Sequence, residues 1–301
     1  MVVNPVSGGG KGTHLSETIA GLLLQRQIPF EKAVTQRVWH ACELTQDAIK
    51  AGFTRFLIVG GDGTANEVIN GIFLTGANTE KIIVGMISVG TGNDWVRTIG
   101  KHRSVNSIPD SLLYEQTFLH DVGRVEYKKN GATAYRYFIN IAGLGFDGYA
   151  AKKIAEGPRF LQGTKLQYWG AILQSLFFYK HHLMKITVDG NESTHQTLSI
   201  ACGICKYNGG GLMQLPGASC EDGLLDMTLI GNMSKLKMVM SLPKLSNGSF
   251  LSMKEIATFK GKDFLIECDE PVMVETDGEY LGETPARISI LTNKIHILRW
   301  S

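Results

Sequence analysis

Residues 55–67 of this 301-residue chain read RFLIVGGDGTANE, an apolar run that ends in a glycine-rich turn and leads into a helix-like segment. Arg55 to Val59 predicts a short buried strand, and Ala65 to Phe73 predicts the helix that follows it. Gly60-Gly61-Asp62-Gly63-Thr64 lies between the two, at the carboxyl end of the strand. Open α/β sheets bind their ligands at such strand ends. The stretch therefore predicts an α/β layer with a ligand site at this turn.

The residue types of the turn favour phosphate as the ligand. Glycines let the backbone come close to a ligand, and the N–H groups at the start of a helix attract anions. Asp62 can contact phosphate only through a metal, so we interpret it as a Mg²⁺ ligand or a catalytic base. A plain Asp-Gly turn is the alternative, and the position between a strand and a helix argues against it.

A second turn of the same kind follows the next apolar run. Lys81 to Val89 predicts another buried strand, and it ends in Gly90-Thr91-Gly92-Asn93-Asp94. Two strand ends that each carry glycines and an aspartate predict one nucleotide-phosphate site.

Two well-known phosphate loops do not fit this chain. Gly8-Gly9-Gly10-Lys11-Gly12-Thr13 is like a P-loop, but Gly12 separates Lys11 from Thr13, and Pro5 stands where the first glycine belongs. The dinucleotide fingerprint fails because Asn66 occupies the place of its third glycine. Neither a Walker A site nor a standard NAD site is predicted.

The first ~120 residues alternate short apolar runs with helix-like stretches, which is typical of a parallel α/β domain. Leu15 to Gln25 and Val38 to Ala51 are the other helices predicted there. The strand before Asn4 is short, and we expect the full strand to begin upstream of this sequence.

Beyond Gly123 the pattern changes to period-two runs bounded by turn residues, which predicts an antiparallel sheet. The runs are Met184 to Val188, Leu225 to Leu229, and Ile288 to Ile290 facing Ile295 to Ile297 across Asn293. Two helices interrupt them, Leu166 to Lys180 and Lys235 to Leu242. The first of these is apolar over an unusually wide face, so we expect either a core helix or a surface for acyl chains or a bilayer.

The bulk composition narrows the class of protein. A net charge of +2 argues against a nucleic-acid partner, and five cysteines in a long chain argue for a reducing compartment. The first residues show no basic region followed by a long apolar stretch, so we expect no signal peptide, and no run reaches ~20 apolar residues. We expect a cytoplasmic protein that meets lipid only from the surface, at the inner membrane face.

Several motifs together carry a resemblance to a known family. They are GGDGT at 60–64, Asn4 to Gly8, Gly90 to Asp94, Asn140 to Asp147, Tyr207 to Met213, Glu221 to Asp226, and Asp277-Gly278-Glu279. In this order they resemble the bacterial diacylglycerol kinase and lipid kinase family, relatives of the sphingosine kinases. The likeness spans nearly the whole chain, but the residues Gly203 to Lys206 depart from the family pattern.

The resemblance implies a fold and two domains. Residues 1–122 would form a three-layer α/β domain that binds ATP, and residues 123–301 a mostly antiparallel β-sandwich for the lipid. In a variant of this division, the last ~10 residues return to the first domain. The active site would lie between the domains.

The resemblance also implies roles for single residues. Those expected to bind the nucleotide are Asn4, Thr35, Gly60, Gly61, Asp62, Gly63, Thr64, Asn66 and Thr91. The catalytic carboxylates would be Asp62, Asp94, Asp277 and Glu279, with Asp277 or Glu279 accepting the proton of the attacking hydroxyl. The turn at Asp277-Gly278 is also consistent with a simple hairpin.

A structural Mg²⁺ is a further implication of the resemblance. It would be bound by the Asp222 carboxylate and the carbonyl oxygens of Ser219 and Leu224, and a plain turn at these residues remains the alternative. The expected partners are a lipid alcohol and a peripheral membrane surface, with no nucleic acid and with a homodimer left open.

The favoured function is therefore transfer of the ATP γ-phosphate to a lipid alcohol, diacylglycerol first among them, with ATP and Mg²⁺ as cofactors. An NAD kinase is the nearest rival because it also carries GGDGT. A catalytically inactive protein that senses nucleotide or lipid is the non-enzyme alternative.

Overall fold

A computed structural model describes residues 1–90, 92–101, 104–157, 170, 175–176 and 178–300 of the chain. The chain divides into two compact units, residues 1–122 with 292–301, and residues 123–291. Most of the predicted helix Leu166 to Lys180 lies outside the described residues. Among the helices that are described, none is both long and apolar enough to cross a membrane.

The first unit is built around a parallel sheet. Its strands are β1 (Val2–Val3), β2 (Ala33–Val34), β3 (Arg55–Gly60), β4 (Ile83–Ser88) and the end of the long strand β15 (Glu279–Leu298). The spatial order is β2, β1, β3, β4 and β15, and every pairing along it is parallel. The helices are α1 (Lys11–Gln25), α2 (His40–Lys50), α3 (Asp62–Leu74), α4 (Asp94–Ile99) and α5 (Ile108–Tyr114).

Burial on both faces explains why β3 reads as a continuous apolar run. Leu57 and Val59 pack in one core cluster with Ile19 and Leu23 of α1 and with Ile108 of α5. The alternate residues of β3 point to the opposite face and are buried as well, and α3 packs against β3 and α2. The predicted α/β layer is confirmed.

The second unit is antiparallel. Its strands are β5 (Thr117–Lys129), β6 (Ala132–Phe138), β7 (Ile141–Gly145), β8 (His182–Val188), β9 (Asn191–Thr197), β10 (Ser199–Gly203), β11 (Leu225–Ile230), β12 (Ile256–Gly261), β13 (Asp263–Cys268), β14 (Met273–Thr276) and most of β15. Neighbours run in the order β12, β11, β10, β7, β14, β15, while β13 pairs with β15 and β8. Two described helices accompany the sheet, α6 (Phe146–Glu156) and α7 (Lys235–Leu245).

Two local predictions in the second half of the chain need correction, and one helix there was not predicted. The hairpin across Asn293 is wrong, because the backbone runs through as the single strand β15 and its end pairs with β4, His296 opposite Ile83. Helix α7 continues past Leu242 and contains Pro243. Helix α6 was not predicted, because its first turn follows directly on β7 with no polar break.

Candidate active site

In the first unit, three loops meet at the carboxyl ends of β1, β3 and β4. The Nδ2 of Asn4, just after β1, donates to Thr64 Oγ1 at 3.0 Å. A β-carbon at Gly90 would lie 3.0 Å from the Cα of Gly61, so the loops after β3 and β4 touch backbone to backbone. A β-carbon at Gly8 would lie 2.0 Å from the carbonyl oxygen of Val89. The glycines are therefore required by close approach of these three loops.

The turn at 60–64 presents the start of α3 to this meeting point. Gly61 precedes the helix in an extended conformation, and the first intrahelical bond runs from the N–H of Ala65 to the carbonyl of Gly61. The N–H groups of the first helical turn have no acceptor inside the helix. A β-carbon at Gly60 would lie 2.6 Å from Thr64 Oγ1, so only glycine lets the threonine pack there. This arrangement suits a phosphate group.

The carboxylate of Asp62 joins the two glycine loops. Its two oxygens accept the backbone N–H groups of Asp94, at 3.1 Å, and of Trp95, at 3.3 Å, and so cap helix α4. Asn93, the residue before α4, has a left-handed backbone and accepts a hydrogen bond from the Ser88 hydroxyl. Asp62 therefore stabilises the start of α4, in addition to any catalytic or metal-binding role.

Asp62 and Asp94 lie close together around Gly92. A β-carbon at Gly92 would be 3.1 Å from Asp62 Oδ2 and 3.7 Å from Asp94 Oδ2. Because only hydrogen stands at that position, one oxygen of each carboxylate can approach Gly92 closely. Hard oxygen donors of this kind fit a divalent cation such as Mg²⁺.

Beside this meeting point lies a cavity of ≈ 550 Å³, within the range of small-molecule sites. It is lined by Asn4, Pro5, Val6, Thr35, Gln36, Arg37, Val38, Thr64 and Glu67. The sequence-predicted residues among them are Asn4, Thr35, which directly follows β2, and Thr64. Asn66 instead is buried and accepts a hydrogen bond from Asn70. Thr91 lies outside the described residues.

Glu67 was missed by the sequence reasoning. Its carboxylate accepts the N–H groups of Trp39, at 2.9 Å, and Ala41, at 3.0 Å, at the start of α2. Trp39 has a left-handed backbone, so Glu67 stabilises the turn that forms one wall of the cavity. The only sequence signal was a carboxylate just before the apolar residues Val68 and Ile69 of helix α3.

In the second unit, the predicted carboxylates cluster at the turn between β14 and β15. Asp277 and Gly278 both have positive φ, so the hairpin alternative is confirmed as local structure. The Asp277 carboxylate accepts three backbone N–H groups, those of Ile139, Asn140 and Ile141, at 3.1 to 3.3 Å. Those bonds engage both of its oxygens.

Glu279 is placed differently. Its Oε2 accepts a hydrogen bond from Arg136 at 3.1 Å, and about a third of its side chain is exposed. The guanidinium orients this carboxylate, while the exposed part of the side chain stays open to a ligand. Arg136 was not singled out from the sequence, from which nothing indicated that β6 lies beside this turn.

Two further carboxyl groups lie behind the turn, around Gly143 of β7. A β-carbon there would be 2.3 Å from Glu275 Oε1 and 2.9 Å from the Cβ of Asp147. Glu275 accepts the N–H of Gly278 at 2.8 Å and the Nδ2 of Asn208 at 3.4 Å. Glu275 thus connects the turn that carries Glu279 to the glycine run beginning at Gly209.

This pair is protonated more readily than ordinary carboxylates. Burial raises the pKa of Glu275 well above its usual range, and the nearby Asp147 adds to the shift. Burial also raises the pKa of Asp147 to about 6, although hydrogen bonds with Gln214 and Ser199 lower it in part. The two groups favour protonation because two charges cannot be solvated there.

The residues expected to hold a structural Mg²⁺ already have other partners. Asp222 Oδ1 accepts the N–H of Leu224 at 3.1 Å, and Asp222 Oδ2 lies 2.9 Å from the ammonium of Lys260. Lys260 also lies 3.1 Å from Asp226, its direct partner across β11 and β12. Ser219 Oγ accepts the N–H of Glu221 at 3.4 Å. The Asp222 carboxylate is therefore already paired with a cation, whereas metal binding by the carbonyl oxygens of Ser219 and Leu224 stays a prediction.

Comparisons with known proteins identify two family profiles in the chain. Residues 1–125 match the family profile described as the diacylglycerol kinase catalytic domain. Residues 140–299 match the one described as the YegS C-terminal NAD kinase beta sandwich-like domain. The chain is 28% identical over 300 residues to a protein named diacylglycerol kinase from Mycobacterium tuberculosis, covering 99% of this chain and 94% of that protein.

Two solved structures show the same fold. A crystal structure titled as a diacylglycerol kinase from Bacillus anthracis superposes with a TM-score of 0.72 at 22% identity, covering 99% of this chain and 95% of that one. Yeast NADH kinase, solved with NADH, gives a TM-score of 0.51 at 12% identity, over all of this chain and 74% of the other. At these identities the likeness concerns the fold alone.

Proposed function

We propose that this chain, which belongs to the diacylglycerol kinase family and is a lipid kinase, transfers the γ-phosphoryl group of ATP to the free hydroxyl of diacylglycerol. The products would be phosphatidic acid and ADP. The observation that carries the proposal is the cradle at the start of α3, where three glycine-containing loops meet beside a cavity of ≈ 550 Å³. A nucleoside triphosphate fits such a combination of an anion site and an adjoining pocket.

In this proposal the nucleotide lies along the first unit. Gly60, Gly61, Gly63 and Thr64 offer backbone N–H groups to the phosphates, and Asn4 orients Thr64 through the bond at 3.0 Å. Thr35 lines the cavity that would take the nucleoside. Thr91 keeps the role expected from the sequence.

Asp62 and Asp94 would hold the divalent cation. When bound, the cation would neutralise charge on the phosphate oxygens. The two carboxylates suit this task because one oxygen of each lies close to Gly92. Asp62 also fixes α4 through two backbone N–H groups, which keeps Asp94 in place.

We assign the proton acceptor to Glu279 rather than Asp277. Both oxygens of Asp277 are engaged by backbone N–H groups, which hold the carboxylate against the backbone of residues 139–141. Glu279 is partly exposed and is oriented by Arg136. The hydroxyl oxygen of diacylglycerol would attack the γ-phosphorus, the bond to ADP would break, and the hydroxyl proton would pass to Glu279.

Two alternatives give different products. An NAD kinase would share the fold, but the family profile matched by residues 1–125 is that of the diacylglycerol kinase catalytic domain. An inactive sensing protein would bind ATP without turnover. The carboxylates Asp62, Asp94 and Glu279 favour an enzyme.

The test is a competition among acceptors. Purified protein is incubated with radiolabelled ATP, Mg²⁺ and one of diacylglycerol, ceramide, sphingosine or NAD, and the labelled products are separated. We expect label on diacylglycerol and none on NAD. Label on NAD alone would contradict the lipid assignment, and label on ceramide or sphingosine alone would contradict the choice of diacylglycerol.

A further inference from the structure

We propose that the outward face of helix α7 docks this lipid kinase onto an anionic membrane surface. The α7 face is defined here as Leu236, Val239, Met240 and Pro243, with Lys235 and Lys244 beside them. Leu236 is 72% exposed, Met240 70% and Val239 40%. Three large apolar side chains on one short helix form a patch of the kind that marks an interaction surface.

The spacing of these residues puts them on one side of the helix. At about 100° per residue, Leu236, Val239, Met240 and Pro243 fall within an arc of roughly 100°. The buried residues Met238, Ser241 and Leu245 lie on the opposite side. The exposed apolar face is therefore separate from the face that packs on the core.

The inner face anchors the helix firmly to the second unit. Met238 packs in a core cluster with Phe146, Leu176, Tyr179, Leu198 and Met233. The Ser234 hydroxyl caps the first turn by accepting the N–H of Lys237. The outer residues are thus held in a fixed position and are not needed to keep the helix in place.

The charges around this face point to an anionic partner. Residues 231–254 contain four lysines and no aspartate or glutamate. Lys237 is paired with Glu255 at 2.7 Å. Lys235, Lys244 and Lys254 have exposed side chains. On the same helical projection, Lys235 and Lys244 fall on opposite flanks of the apolar arc. Lysines at the edges of an apolar stripe can reach lipid phosphates while the stripe enters the interface.

The segment before β8 extends the patch. His181 Nε2 lies 3.2 Å from the carbonyl oxygen of Met233, which places residues 178–181 beside the start of α7. In this segment Phe178 is 68% exposed and Lys180 is exposed. Another apolar side chain and another cation thus adjoin the α7 face.

A bilayer fits this surface better than a protein partner. The exposed residues are Leu, Val, Met and Lys, and the described surface of the stretch 231–254 offers no carboxylate to an arginine or lysine of a partner. The inference rests on the proposed function, since diacylglycerol lies in a membrane. Beyond the proposed function, the inference specifies the surface of the protein that contacts the membrane and the negative lipid charge that this surface requires.

The experiment measures vesicle binding and turnover separately. Full-length protein is sedimented with vesicles of phosphatidylcholine alone or mixed with equal parts of phosphatidylglycerol. One variant combines Leu236→Glu with Met240→Glu, and another combines Lys235→Gln with Lys244→Gln. Leu113→Glu, at an exposed apolar position on α5, is the matched control. Turnover is measured with dihexanoylglycerol kept below its aggregation concentration and with diacylglycerol in the mixed vesicles.

We expect wild-type protein and Leu113→Glu to bind the mixed vesicles strongly and pure phosphatidylcholine weakly. The glutamate pair should lower binding at least tenfold. The glutamine pair should lower it by about fivefold for each lysine and reduce its salt dependence. With soluble dihexanoylglycerol every variant should turn over like the wild type, so only vesicle substrate reveals the loss.

Three results would overturn the docking inference. They are equal binding to both vesicle types, wild-type binding by the glutamate pair, and a dimer that the glutamate pair dissociates without any change in vesicle binding. The last would assign the face to a second copy of the chain. If the wild type binds mixed vesicles as expected but leaves dihexanoylglycerol unphosphorylated, docking stands and the proposed substrate fails.

Discussion

Replacement of Asp147 by asparagine should stabilise the protein at neutral pH. The Asp147 carboxyl has its pKa raised from 3.8 to about 6 by burial next to Glu275. Its contribution to stability is therefore complete below pH ~4, where the folded and unfolded chains are both protonated, and is lost as the pH rises to about 6. Above that pH the fold holds a poorly solvated charge.

The size of the effect follows from the shift. A difference of about 2 pKa units corresponds to ~3 kcal/mol in the free energy of unfolding. Partial access of solvent to the side chain reduces this contribution to about 1–3 kcal/mol. Asparagine keeps the shape and removes the charge. Its amide can also donate to Gln214 Oε1, which has no hydrogen-bond partner in the described part of the chain. For a unit of this size we expect the thermal midpoint to rise by roughly 2–12 °C at pH 7.

The assay is thermal unfolding followed by circular dichroism at intervals from pH 4 to pH 8. Wild-type protein should lose stability between pH 4 and pH 6, and Asp147→Asn should flatten that slope and match the wild type near pH 4. Asp47→Asn, at an exposed position on α2, is the control and should leave the slope unchanged. A variant less stable than the wild type at pH 7, with the same slope, would refute the reasoning.

Glu279→Gln should lower kcat by 10²- to 10⁴-fold while ATP binding persists, because the proton acceptor is lost. Glu283→Gln, on the same strand, is the control. Turnover of Glu279→Gln within threefold of the wild type would exclude Glu279 as the proton acceptor. Gly60→Ala should weaken ATP binding in calorimetry at least tenfold, since its β-carbon would lie 2.6 Å from Thr64 Oγ1. Gly21→Ala, with open space around it, is the control and should leave the stability of the protein unchanged or slightly raised. Equal ATP affinity in both variants would contradict the close packing at Gly60. Lys260→Met should lower the thermal midpoint and make that midpoint respond to Mg²⁺. The midpoint of the wild type, measured without ATP, should not respond to Mg²⁺. A Mg²⁺ response in the wild type that is lost in Asp222→Asn would instead support a metal site at Asp222.

Local pattern was enough to predict the first unit. Strands β3 and β4 are each followed by a glycine turn, and α3 and α4 begin within those turns or directly after them, so period and turn residues agree there. Strand β3 and the strand predicted over Lys81 to Val89 were placed within about two residues, as is usual for element ends. The meeting of the loops after β1, β3 and β4 follows from parallel pairing of neighbouring strands.

The end of the chain could not be predicted in the same way. Residues 288–297 alternate between apolar and other residues on both sides of Asn293, which is equally compatible with a hairpin and with one long strand. The pairing of His296 with Ile83 joins residues far apart in sequence, and only tertiary packing selects it.

The second half of the candidate site depends on similarly distant contacts. Arg136 and Glu279 are 143 positions apart, and Asn208 and Glu275 are 67 apart. The motif ending in Asp277-Gly278-Glu279 indicated which carboxylates to examine. It could not show that backbone N–H groups occupy Asp277 or that Lys260 binds Asp222, because neither strand pairing is visible in the local sequence.

The most direct test of the central claim is identification of the phosphorylated product. Protein is incubated with ATP, Mg²⁺ and a total lipid extract, and the lipids are analysed by mass spectrometry, with Glu279→Gln in parallel. The account predicts phosphatidic acid at the expense of diacylglycerol with the wild type and almost none with the variant. Loss of ATP without any new lipid phosphate, or equal product from both proteins, would contradict it.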